Sequence, residues 1–176
     1  MEWFISDTHF GHKNIIKYCK RPFVSVIEME NRLKMNWNNL IKKDDVVYHL
    51  GDFGLAPKSV LTKICSELNG HKILVRGNHD KSEKSMFDIG FDEVYKYMEI
   101  ERDRKKIFIG HKPMVSYYHD MVLCGHVHDL FQINGNIVNM SVDVWNYKPI
   151  PWSILRDLNL NRNTFQRYGI KGKIDL

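Results

Sequence analysis

The chain has 176 residues, 43% hydrophobic and 27% charged, which suits one globular domain over residues 1–176 and excludes a disordered chain. No apolar run approaches the ~20 residues that cross a bilayer, and the apolar stretch after Glu2 is too short for a signal core. The net charge of +5 and pI near 9.0 favour anionic partners, and the reading is cytoplasmic, with no membrane partner.

In chain order, strands are expected over residues 3–6, 46–50, 72–76, 94–101, 105–109, 121–124 and 136–142. Helical patterns fit residues 14–19, 26–41, 59–68, 82–89 and a short stretch from Ser153. In the second helix Ile27, Leu33, Trp37 and Ile41 hold the apolar rhythm, broken by Glu30 and Lys34. Ser59 reads as the N-cap of the third helix and Gly70 as its stop. Strands and helices alternate first and strands then cluster, so the fold class is α/β with mixed sheets. Cys19, Cys65 and Cys124 are odd in number and far apart, so they read as buried free thiols, not a disulfide framework or zinc ribbon. The basic residues are scattered, with loose concentrations from Lys13 to Lys43 and at Arg156, Arg162, Arg167, Lys171 and Lys173.

Five places share one design: a short apolar run ends, usually at glycine, and a metal-ligating residue type follows. They are Asp7-Thr8-His9, Gly51-Asp52, Gly77-Asn78-His79-Asp80, Gly110-His111 and Gly125-His126-Val127-His128. Open α/β sheets bind ligands beyond the carboxyl ends of their strands, where such groups from distant segments converge. Asp7 and His9, like His126 and His128, are two apart and share a side while the backbone stays extended. Seven ligands (Asp7, His9, Asp52, Asn78, His111, His126 and His128) exceed the four of one tetrahedral ion. Two divalent ions sharing a carboxylate account for the number, and such two-metal sites clamp a phosphate under in-line attack.

This ordered set resembles the calcineurin-like metallophosphoesterase superfamily, and its five motifs are all present between residues 7 and 128. The opening Ser6-Asp7-Thr8-His9-Phe10-Gly11-His12 and the stretch 139–148 look like its small bacterial and phage members. The resemblance implies a four-layer αββα sandwich of two mixed β-sheets flanked by helices. It implies Asp7, His9 and His128 on one metal, Asn78, His111 and His126 on the other, and Asp52 bridging. His79 would protonate the leaving oxygen, with Asp80 holding its ring. The implied activity is phosphoester hydrolysis, phosphodiesters before monoesters, by in-line attack of a metal-bridging hydroxide. Manganese heads the metals, with iron, zinc, nickel and cobalt suited to the same donors.

The chain departs from the larger branches. Phe53-Gly54-Leu55 stands where Ser/Thr protein phosphatases carry Asp-Arg-Gly, and Leu55 stands where purple acid phosphatases need tyrosine. Nor is there length for the cap domain of the large DNA-repair nucleases. Two alternatives stay open: a nuclease or RNA-processing phosphodiesterase, with nucleotide or nucleic acid as partner, and a protein-docking member of the fold. Among the remaining residues, His12 and Arg76 are candidate substrate contacts, with an ion pair the competing role for Arg76. His49 reads as a buried, hydrogen-bonded strand histidine, and His71 and His119 as surface. Asp143 and Trp145 read as cleft rim, and Tyr117, Tyr118 and Trp145 as aromatics able to stack a base. No exposed apolar stripe defines a dimer face.

Overall fold

The computed structural model describes residues 1–162, 164 and 165; Arg167, Lys171 and Lys173 of the basic tail lie outside them. The first half winds β1 (Glu2–Ile5), α1 (Ile15–Tyr18), α2 (Val26–Leu40), β2 (Val46–His49), α3 (Lys58–Glu67), β3 (His71–Val75), α4 (Glu83–Ile89) and β4 (Glu93–Tyr95). β1 to β4 pair in parallel in that order. β10 (Ile150–Pro151) returns to lie antiparallel on the free edge of β1. The second sheet holds β5 (Tyr97–Arg102), β6 (Lys105–Gly110), β7 (Met121–Cys124), β9 (Ile137–Asn139) and β8 (Ile133–Asn134), in that spatial order. Its centre, β6-β7-β9, is parallel, and β5 and β8 close it antiparallel. A short 3-10 helix (Val142–Val144) and α5 (Trp152–Leu155) complete the described elements.

Alternation along the strands makes the layers. Phe4, Tyr48, Leu50, Ile73 and Val75 of the first sheet pack against Ile107, Ile109, Met121, Leu123 and Val138 of the second. The opposite face of the first sheet, with Trp3, Ile5, Val47, Leu74 and Val94, buries Met29, Leu33, Trp37, Leu61, Ile64 and Met86 of the helices. The outer face of the second sheet differs. Val122, Cys124 and Ile137 are covered there by Val115, Val127, Leu130 and Phe131, which lie outside helices and strands among the described residues. Exposed Tyr97, Glu99 and Glu101 on outer β5 need no helical cover.

Several local expectations change. The single strand over 94–101 is two strands in different sheets, broken at Lys96 where the chain crosses between them. The strand over 136–142 stops at Asn139 and gives way to the 3-10 helix. Pro57, not Ser59, precedes α3, and its C-cap is Leu68 rather than Gly70. In α2 the buried face runs Met29, Leu33, Asn36 and Trp37, leaving Ile27 66% exposed. The two polar interruptions are used: Glu30 accepts from the Gly11 backbone at 2.8 Å, and Lys34 pairs with Glu67 at 2.8 Å. Cys65 and Cys124 are buried and Cys19 half-buried, all as free thiols. Among the described residues no helix is long and apolar enough to cross a membrane.

Candidate metal centre

The five sequence groups lie at or just past the carboxyl ends of β1, β2, β3, β6 and β7, and facing sheets bring them together. The backbone there is not extended. Asp7, His9, Asp52, His126 and His128 all have positive φ, between 48° and 71°, so five of the seven candidate ligands are left-handed. Each such residue costs roughly 1–3 kcal/mol and persists only where the surroundings over-determine it. Here they do: Asp7 and His9 donate their N–H to Gly51 O and Asp52 O at 3.0 Å, and His126 N–H donates to the Asp7 carboxylate at 3.0 Å. Two glycines admit the close approach. A Cβ at Gly77 would lie 2.1 Å from Asp52 Oδ1, and one at Gly125 would lie 1.9 Å from Ser6 Oγ.

Asp7, His9 and His128 each offer a ligand atom within 4.8 Å of the others, and so do Asp52, His111 and His126. Asp52 stands between the groups, its Oδ2 3.4 Å from His111 Nε2 and 3.6 Å from His9 Nε2. Asn78 Oδ1 lies 3.1 Å from His111 Nε2. Nδ1 of His111 faces Leu50 O at 2.8 Å and a carbonyl only accepts, so Nδ1 carries a proton and Nε2 is the atom that the neutral ring offers as a ligand. His9 Nε2 is buried without a hydrogen-bond partner, an arrangement proteins avoid unless another group completes it. The donor set and this orphaned nitrogen fit divalent cations.

The field around the site is strongly perturbed. Burial pushes the Asp7 carboxyl up and the His9 ring down to about 2. Burial, with the charge of His111, lowers His126 to about 4. Burial opposes the His128 charge, but hydrogen bonds to Asp143 and Cys19, with the negative charge of Asp7, together outweigh it and raise that ring to about 10. Asp52 is held low: burial raises it, and hydrogen bonds from His111 and the His79 backbone, with nearby histidine charge, outweigh that.

The surrounding residues divide. His79 is exposed, its ring centroid 5.6 Å from that of His9. Asp80 does not hold that ring: its carboxylate accepts from the backbone N–H groups of Asp52, Phe53 and Gly77 at 2.7–2.9 Å. It ties the β2 and β3 loops together instead. His12 joins the cluster, Nδ1 3.3 Å from His9 Nδ1. Arg76 makes no ion pair among the described residues and donates to Lys81 O at 3.1 Å. Asp143 is not rim: its side chain is 2% exposed. Trp145 gives its indole N–H to Asn139 O, while Tyr117 and Tyr118 are 70% and 64% exposed. His119 is buried, not surface, at 2.7 Å from Ser116 Oγ and packed between Phe108 and Tyr118; His71 is exposed as expected. Sequence reading missed Arg21, buried against Asp143, because no motif marks it. Cys19 also lies near His128 and Asp143, where the Asp143 carboxylate is already engaged by Arg21, His128 and Ser141.

Residues 3–139 match the family model described as the calcineurin-like phosphoesterase superfamily domain. The chain belongs to that superfamily. The chain is 37% identical over 165 residues to an uncharacterized protein of Methanocaldococcus jannaschii, covering 87% of this chain and 88% of that one. The Gene 66 protein of Mycobacterium phage L5 is 35% identical over 81 residues, 44% of this chain and 39% of its own. A solved structure of a protein of unknown function from Aquifex aeolicus superposes with TM-score 0.74 at 33% identity, over 90% of this chain and 99% of that one. Membership in a metal-dependent phosphoesterase superfamily agrees with the ligand groups of the site.

His49 supports the site from beneath. Its ring is fully buried against Trp37, Phe53 and Phe91, with Nε2 2.9 Å from Thr8 Oγ1. Burial lowers its pKa from 6.5 to about 3. The unfolded chain therefore takes this proton first, and stability complete above about pH 6.5 is lost as pH falls toward 3. From pH 7 to pH 5 wild type should lose about 2 kcal/mol more than His49→Gln, since each pH unit below 6.5 costs about 1.4 kcal/mol. Urea midpoints at the two pH values test this; equal acid sensitivity would assign the effect elsewhere.

Proposed function

We propose that this chain is a dinuclear metal-dependent phosphodiesterase. The observation carrying this reading is the position of Asp52, with one carboxylate oxygen facing the imidazole nitrogens of both ligand groups. Asp7, His9 and His128 would hold one cation, Asn78, His111 and His126 the other, and Asp52 both. Bound there, two divalent cations, manganese foremost, would supply an acidified water and neutralise the non-bridging phosphate oxygens.

The chain's own residues do the rest. His111, locked by Leu50 O, directs Nε2 inward; Asp80 fixes the two loops that carry Asp52 and Asn78. His79, on the open side of the cluster, protonates the leaving oxygen. His12, against His9 and near His79, lies where it can also meet the phosphate. A nucleic-acid substrate is the second reading, favoured by exposed Tyr117 and Tyr118 on the loop after His111 and by the basic charge. Cleavage of single-stranded oligonucleotides falling steeply with salt would support it.

Hydrolysis of bis-p-nitrophenyl phosphate and p-nitrophenyl phosphate by chelator-stripped protein, with and without manganese, tests the main reading. The expected result is manganese-dependent cleavage favouring the diester. Absence of activity together with absence of bound metal would favour a docking protein; preference for the monoester would overturn the phosphodiesterase assignment.

A further inference from the structure

Arg21 lies between α1 and α2, outside the ligand motifs, yet it is 4% exposed and all five of its guanidinium N–H donors are used. Two go to the Asp143 carboxylate, Nε to Oδ1 at 2.8 Å and Nη2 to Oδ2 at 2.9 Å. Two go to the backbone of the first ligand loop, Nη2 to Asp7 O at 2.7 Å and Nη1 to Thr8 O at 3.1 Å. The fifth meets Met29 Sδ at 3.3 Å. Asp143 Oδ2 in turn accepts from His128 Nδ1 at 2.8 Å and from Ser141 Oγ at 3.0 Å. The guanidinium thus fastens both ends of one ligand group: Asp7 and His9 through their loop backbone, and His128 through Asp143.

The chemistry of this arrangement is specific. Asp143 can only accept, so His128 keeps a proton on Nδ1, and Nε2 is the one ring atom that can coordinate once the ring is neutral. The buried carboxylate is balanced by Arg21, so it orients the ring without leaving an unpaired charge. The geometry points to Arg21 and Asp143 as positioning residues that pre-form the Asp7–His9–His128 cation site while leaving the Asp52–His111–His126 group untouched. This rests on the dinuclear reading above. Outer hydrogen-bond partners of metal-ligating histidines fix ring orientation in this way. A lysine at position 21 has three donors instead of five and cannot serve all the partners at once.

Binding of manganese alone to the full chain, followed by isothermal titration calorimetry, reads the effect without reference to activity. Wild type is expected to bind two ions. Asp143→Asn, nearly the same shape and leaving Arg21 its carbonyl partners, should bind one of the two about 10–100-fold more weakly and the other unchanged. Arg21→Gln should do the same, and Arg21→Lys should restore part of the loss. Histidine-selective 15N NMR of the zinc-loaded wild type should show His128 protonated at Nδ1, a readout that needs no variant to fold. General structural damage would instead weaken both ions together, and that result overturns the assignment. So would wild-type affinity for both ions in folded Asp143→Asn, or a His128 Nδ1 without its proton. Wild type binding fewer than two ions would instead overturn the dinuclear reading itself, along with this inference.

Discussion

Asp52→Ala is expected to retain no tightly bound metal and to lose hydrolysis by about 10²–10³-fold or more, the scale of removing electrostatic stabilisation from a water-excluded site. The physical reason is charge. Asp7 and Asp52 are the two carboxylates among the seven proposed ligands, and Asp52 alone faces both groups. Without it, one cation would be left with imidazole and amide donors only, and two divalent charges would approach with nothing between them. The carboxylate also accepts the His79 N–H at 2.9 Å, so the loop bearing the proposed acid loses an anchor. Metal content per chain, measured beside diester hydrolysis, checks the prediction. Two retained ions would remove Asp52 from its bridging role, whatever happened to the rate.

His79→Ala should behave in the opposite way: two ions kept and catalysis lost. The exposed ring takes no part in either ligand group, so truncation leaves the donors in place. General-acid help is worth about 10²–10⁴ in rate, and the loss should approach that range for a diester that must expel an alkoxide. It should be much smaller for bis-p-nitrophenyl phosphate, whose leaving group departs without a proton. A loss independent of the leaving group would assign His79 to phosphate binding instead. The Asp80 geometry adds a contrast. Because Asp80 braces backbone N–H groups at residues 52, 53 and 77, its replacement should loosen the metal loops as well as slow the reaction.

The seven candidate ligands were legible in the sequence because each follows a strand, and strands are marked by short apolar runs that local pattern detects. Family motifs add identity to that pattern without geometry. Arg21 was not legible: its partners are Asp7, Thr8, Met29 and Asp143, and Asp143 reaches it only because the chain after β9 bridges to β1 at Ser6 and Ser141. Asp143 itself looked like rim because an aspartate after a strand usually faces water. The break at Lys96 was hidden for a related reason. Residues on either side of it suit strands equally well, and the choice of sheet is made by which neighbour each half finds.

By itself, then, the sequence determined the α/β class, the order of strands and helices in the first half, the family, and the residues gathered at the strand ends. Those are properties of local apolar rhythm and of side-chain chemistry, and they survive without knowledge of distant neighbours. Only the tertiary structure decided the left-handed turns at five candidate ligands, the loop-tying role of Asp80, the burial of His119 and the Arg21–Asp143–His128 chain. Most of these depend on groups far apart in sequence meeting in a water-poor interior, where a hydrogen-bonding atom must find its partner or remain costly.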